Sequence, residues 1–135
     1  MGGNFATAGG VTVNNIAKYN DQTNQFSNIG QTTGVDSTVY AFAVYNGSLY
    51  VGGNFATAGG VSVNYIAKYN DQTNQFSNIG QTTGVLGDVN ALAIYNGNLY
   101  VGGDFLTAGG VSAMIRQISF QISDKLRGWI TPSEL

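Results

Sequence analysis

Apolar and polar positions fall into paired runs. In VNALAIYNGNLYVGGDF (residues 89–105) a β-prone apolar run, Val89–Tyr95, meets a polar break and a second apolar run, Leu99–Gly102. Asn96-Gly97 in the break suits a type I′ turn, whose two central residues need positive φ. The pattern predicts a β-hairpin. Residues 39–53 repeat it, with Asn46-Gly47 between Val39–Tyr45 and Leu49–Gly52. The runs do not alternate, so both faces are expected to be covered by other sheets. Ala41, Ala43, Ala91 and Ala93 are expected to be small because backbones crowd near an axis.

A glycine-rich loop, NFATAGGVTVN, follows the double glycine. Ile16–Tyr19 then reads as a strand, NDQTN as a turn and Gln25–Ile29 as a short last strand. No helical period interrupts the series. The unit is therefore four short antiparallel strands, and it recurs. Gly2–Val35 and Gly52–Val85 differ only at Thr12/Ser62 and Asn15/Tyr65. A third GGDFLTAGGV begins at Gly102. Four strands in a period of about 50 residues describe a β-propeller blade.

The phrase NGNLYVGG, followed after a spacer by IAKYNDQTNQF, resembles a kelch repeat. That family carries a double glycine ending the second strand, a tyrosine in the third and an aromatic in the fourth. The matching residues here are Gly2, Gly3, Tyr19 and Phe26, then Gly52, Gly53, Tyr69 and Phe76. Gly102 and Gly103 open the third set, in which Trp129 takes the aromatic place. Phe stands in the first two units where the family usually has Trp. The resemblance implies an all-β propeller and says little about a ligand.

The repeats divide the chain into residues 1–35, 36–85 and 86–135, within one partial propeller domain. The third unit diverges. Ile115–Phe120 is expected to replace the third strand and RGWITP (127–132) the fourth, with a short helix over Ser123–Arg127 as the alternative. With strands lettered A to D outward from the axis, the chain reads B-C-D, A-B-C-D, A-B-C-D, and Met1 occupies the place of Val51. Propellers have four to eight blades, and an open arc exposes apolar blade faces. Two copies joined head to tail would make a six-bladed ring. A homodimer is therefore expected. A remnant of a longer propeller is a compatible account.

Composition narrows the function. The chain has 43% hydrophobic but 9% charged residues, unlike the charged, apolar-poor composition of disordered chains. No apolar run reaches the roughly 18 residues of a membrane span, and no signal peptide is visible. The compartment is left open. There is no Cys and no His. Disulfides, Ser–His or Cys–His nucleophiles and imidazole or thiolate metal sites are excluded. So is the copper–radical chemistry of kelch-like enzymes, which needs both residue types. Net charge is −2, and Arg116, Lys125 and Arg127 are three of the five basic residues. The repeats offer only Lys18 and Lys68, too few for binding nucleic-acid phosphates.

Carboxylates remain: Asp21, Asp36, Asp71, Asp88, Asp104, Asp124 and Glu134. Asp21 and Asp71 are read as turn formers whose side chains bond nearby amides. A Ca²⁺ site from NDQTN oxygens is the alternative, although the acidic spacing of an EF-hand is missing. Asp36 and Asp88 are placed on loops sharing a face with NFATAGG and DFLTAGG. That face would present Asn4, Thr7, Asp36, Asn54, Thr57, Asp88, Asp104 and Thr107. A polar rim is the plain account of it, and a partner protein or a glycan is what it would bind. Tyr65, replacing Asn15, is read as exposed and tolerant. Most of the eight tyrosines fall at strand positions and read as core. The expectation is a non-enzymatic structural or protein-interaction module without cofactors. A lectin-like propeller is the alternative.

Overall fold

A computed structural model describes residues 1–30, 34–79, 85–108, 111–112 and 117–122. The expected strand at 127–132, the alternative helix at 123–127 and Trp129 lie outside these residues. The described residues form strands and turns, with no helix. The first repeat holds β1 (Thr7–Ala8), β2 (Val11–Thr12), β3 (Lys18–Asn20) and β4 (Gln25–Ser27). The second holds β5 (Val39–Tyr45), β6 (Ser48–Gly53), β7 (Thr57–Ala58), β8 (Val61–Ser62), β9 (Ile66–Asn70) and β10 (Gln75–Ser77). The third holds β11 (Val85–Tyr95), β12 (Asn98–Ala108), β13 (Val111–Ser112) and β14 (Gln117–Ile122).

The second repeat is a four-stranded antiparallel meander, β5-β6-β9-β10 in spatial order. This is the blade that the repeated hairpins predict. The third repeat pairs β11 with β12 and β12 with β14. Its third strand is described over Gln117–Ile122, and Ile115 and Arg116 of the expected strand lie outside the described residues. Val101 faces Phe120, whereas Val51 faces Ala67 in the second blade. The first repeat pairs β3 with β4, and a Gly2–Ile16 bridge joins them to the double-glycine strand.

Turn chemistry fixes these registers locally. Asn46 and Gly47 have φ of 49° and 73°, Asn96 and Gly97 of 53° and 78°. Both hairpins therefore close with two left-handed residues, as a type I′ turn requires. The loop after each double glycine folds into a miniature hairpin, β1–β2 or β7–β8. Its backbone bonds repeat closely: Val13 N to Ala6 O and Val63 N to Ala56 O are both 2.9 Å.

The core sits mainly between blades. One cluster, including Ile16, Val35, Val39, Phe55, Tyr69 and Phe76, joins repeats one and two. Another, including Tyr45, Ile66, Val89, Leu99 and Phe105, joins repeats two and three. Each such side chain contributes about 1.5–3 kcal/mol when fully buried. A blade therefore depends on its neighbour for stability.

Two burial expectations are corrected. β5 alternates: Val39 and Tyr45 are buried, while Tyr40 and Val44 are exposed. This inner strand is thus covered on one face only, whereas on β6 Tyr50, Val51, Gly52 and Gly53 are buried in succession, as expected. Ala41 and Ala43 are half-buried, Ala43 against the core shared with the third blade, whereas Ala91 and Ala93 are exposed, with no further sheet among the described residues packed over them. Tyr45, Tyr50 and Tyr69 are core residues, but Tyr19, Tyr40 and Tyr95 are exposed.

Candidate functional site

The two glycines of each pair do different work. A β-carbon on Gly52 would stand 2.5 Å from Val89 Cγ1 of the following blade. On Gly2 it would stand 2.5 Å from Phe42 Cζ and 2.6 Å from Val39 Cγ1. The first glycine is thus a socket for the next blade. The second glycine faces its own blade: a β-carbon on Gly53 would strike the Thr38 carbonyl oxygen, and on Gly103 that of Asp88. At Gly102 no described atom lies within 4 Å of such a β-carbon.

The faces beside these sockets repeat the contrast. Tyr45 and Tyr50 form an edge-on pair with centroids 5.8 Å apart, and both are buried. Tyr95 and Tyr100 form the same pair at 6.0 Å, yet Tyr95 is 70% exposed against 6% for Tyr45. At the other end, Tyr69 and Phe76 (5.0 Å) are buried by the preceding blade, whereas their twins Tyr19 and Phe26 (4.9 Å) leave Tyr19 47% exposed. Each end of the described arc therefore carries an open copy of a surface that is covered at an internal junction.

The internal junction of repeats one and two shows what covers such a surface. Gly30, at φ 74°, lies against the Phe76 ring and donates its N–H to Asn74 Oδ1 at 3.1 Å. Gly59 N donates to Gly34 O at 2.7 Å. Lys18 Nζ reaches Asp71 Oδ1 at 2.8 Å, with both side chains at least half exposed. That contact and Asp71's charge raise the Lys18 pKa from its ordinary value. Burial, aided by Asp71, raises that of Tyr69. A cleft of about 460 Å³ lies here, lined by Ile16, Lys18, Phe42, Leu49, Tyr69 and Asp71 among others.

The expected loop face is partly assembled. Asp36 Oδ1 accepts from the backbone N–H groups of Ala56 (2.9 Å) and Thr57 (3.1 Å), tying the first inter-repeat loop to the second repeat. Asp36 and Thr57 share a cleft of about 330 Å³ with Asn14, Asn15, Gly34, Val35 and Gly60. Thr7 and Thr57 lie in β1 and β7, and Asn4 and Asn54 are exposed. Asp88 lies within β11, directly opposite Asp104 on β12, and Thr107 lies farther along β12. Among the described residues no three Asp or Glu side chains gather as a metal centre would need.

Two readings of single residues change. The turn expected of Asp21 and Asp71 is made by their neighbours. Asn20 Oδ1 accepts from Gln22 N and Thr23 N, and Asn70 Oδ1 from Gln72 N and Thr73 N. The first turn position puts an acceptor over those amides, which leaves Asp71 for Lys18. Tyr65 is half-buried against the second inter-blade core, at φ 71°. It is not an exposed position. Its twin Asn15 accepts from Phe5 N and donates to Val35 O. The sockets and aromatic pairs were visible in the sequence as motifs, but their inter-blade partners lie a repeat away.

A comparison with curated proteins finds no match. Residues 32–125 match the model of the Rax2 C-terminal beta propeller domain. That span takes in the complete meander and the paired strands of the third repeat, and the chain belongs to this β-propeller family.

Proposed function

We propose that the chain is a non-enzymatic structural or protein-interaction module, built on kelch-like blades, that completes its ring with a second copy of itself. The observation that carries this reading is the Gly102 socket, which holds no described residue, beside the Tyr95–Tyr100 pair, in which Tyr95 is exposed. Equivalent sockets at Gly2 and Gly52 hold a neighbouring blade. A rigid-body head-to-tail contact would repeat that junction and close when its rotation brings six blades round. Burial of two apolar end faces supplies the driving force.

Light scattering after size exclusion, over a dilution series, tests this. A species of about twice the 14.1 kDa chain supports the ring. A monomer at every concentration overturns it. The loop face around Asp36 and Thr57 would then be the surface left for a partner protein.

A further inference from the structure

In this asparagine-rich chain, Asn46 alone is followed two residues later by a hydroxyl side chain, in Asn46-Gly47-Ser48. Asn-X-Ser/Thr, with X other than proline, is the acceptor sequence for N-linked glycans. Such a group is bulky and belongs at a surface. A site in an inter-blade core has no room for it, so the fold decides what the motif is worth.

The fold puts Asn46 at the tip of the β5–β6 hairpin. Asn46 and Gly47 are its two left-handed turn residues, and both are exposed. A β-carbon on Gly47 would meet no described atom within 4 Å. Tyr45, one residue earlier, is buried, and Ser48 is half-buried. The chain thus leaves the core and returns to it within the turn. The twin tip at Asn96-Gly97 is exposed in the same way. β11 packs beside β5 and β6. Asn46 is therefore exposed with the following blade in place, and Asn96 with the preceding one. Neither neighbour covers a tip of this kind, so its exposure is not a property of an end of the arc. The twin lacks the acceptor sequence, because Asn98 stands opposite Tyr95 where Ser48 stands opposite Tyr45.

We propose that Asn46 is the single N-glycan acceptor of this chain when it passes through a compartment that holds an oligosaccharyltransferase and its lipid-diphosphate oligosaccharide donor. Asn46 Nδ2 gives up one proton and bonds to the anomeric carbon of the donor. The bond from that carbon to the lipid diphosphate breaks, and the diphosphate leaves with the electron pair. The β5–β6 ladder runs from Val39 and Gly53 at one end to Tyr45 and Ser48 at the other. Asp36, Asn54 and the socket glycine Gly52 lie at or beyond the first end, and the glycan stands at the second. It therefore leaves the loop face and the blade junction clear, and this site is independent of whether the ring closes.

The test is the full chain behind a cleavable secretion signal, produced in a eukaryotic secretory host and peptide-mapped by mass spectrometry with and without peptide N-glycosidase. The expected result is a glycan on Asn46 that the enzyme releases, leaving aspartate in its place, and none on any other asparagine. Ser48→Ala should lose the glycan completely while keeping the Asn-Gly turn. Asn98→Ser should gain a second glycan, on Asn96, because it supplies the one group that the twin tip lacks. The glycosylated chain should resist protease as well as the Ser48→Ala chain does, as a folded blade carrying the glycan must. An unmodified Asn46 in the parent chain overturns the proposal, whether or not Asn98→Ser is modified at Asn96. A glycan that persists in Ser48→Ala, or one confined to protease-sensitive chains, overturns it as well.

Discussion

Gly52 and Val89 meet across the junction of the second and third blades, with room for a hydrogen but not for a methyl group on Gly52. Gly52→Ala should therefore wedge the blades apart. Overpacking costs about 1–3 kcal/mol, offset in part by the roughly 0.5–1 kcal/mol that alanine gains over glycine in a strand. A net loss of about 1–2 kcal/mol is expected in urea unfolding. Gly102→Ala is the matched control. With no described neighbour within 4 Å, the isolated chain should keep or slightly gain stability. The same substitution should weaken self-association at least about tenfold, because it blocks the socket. An association constant unchanged by Gly102→Ala would show that the ring does not close through this face.

Asp88 and Asp104 stand directly opposite one another on β11 and β12. Like charges at facing positions of an antiparallel pair are destabilising by about 0.2–1 kcal/mol. Asp104→Asn should stabilise the chain by that amount at neutral pH and low salt. Asn54 holds the corresponding place in the second repeat. The gain should shrink as salt is added, since exposed charges are screened. Thermal melts at two ionic strengths measure it. A gain that salt does not reduce would point to a cause other than repulsion.

The local part of the fold was legible in the sequence. Asn46-Gly47 and Asn96-Gly97 specify their hairpins because the left-handed requirement lies within the two residues themselves. What was not legible depends on a neighbour one repeat away. The double glycine is plain as a motif, but only packing shows that Gly52 receives Val89 while Gly53 clears the Thr38 carbonyl. YNDQTN reads as a turn, yet a string of polar residues does not say which one caps it. Asn20 and Asn70 do so, and Asp71 pairs with Lys18 from another repeat. Tyr65 misleads for a similar reason. Variation between near-identical repeats suggests exposure, but the residue packs against an inter-blade core.

Asn15 joins three segments of the first junction. It occupies φ 67°, accepts from Phe5 N at 3.2 Å and donates to Val35 O at 3.1 Å. Asn15→Ala loses both hydrogen bonds, each worth about 1 kcal/mol. It also places alanine in a left-handed conformation costing about 1 kcal/mol more. A loss of about 2–3 kcal/mol in denaturant midpoint experiments is expected. Asn15→Gly should lose less, because glycine accepts the backbone angle. Equal losses would assign the whole effect to the hydrogen bonds.

Stability should fall in alkali through two groups at one junction. Lys18 has its pKa raised above the ordinary 10.5, first by its hydrogen bond to Asp71 and then by Asp71's charge. Tyr69 has its pKa raised above 10.0, first by burial and then by Asp71. A group whose folded pKa lies above its unfolded value contributes stability that is complete below the unfolded value. The contribution is lost as pH rises through the folded value. Both contributions should therefore hold through neutral pH and decline above about pH 10. The lysine part is small, because the pair is exposed and screened. Lys18→Met should cost no more than a few tenths of a kcal/mol at pH 7. Tyr69→Phe removes the phenol and its 2.7 Å bond to Asn74, costing about 1 kcal/mol at pH 7. Above pH 10 the difference from the parent chain should narrow, since the parent then carries the cost of ionising a buried phenol. Urea unfolding of the three proteins from pH 7 to 11 measures this. A Tyr69→Phe difference that stays constant across that range would show that the phenol does not ionise against the burial of the junction.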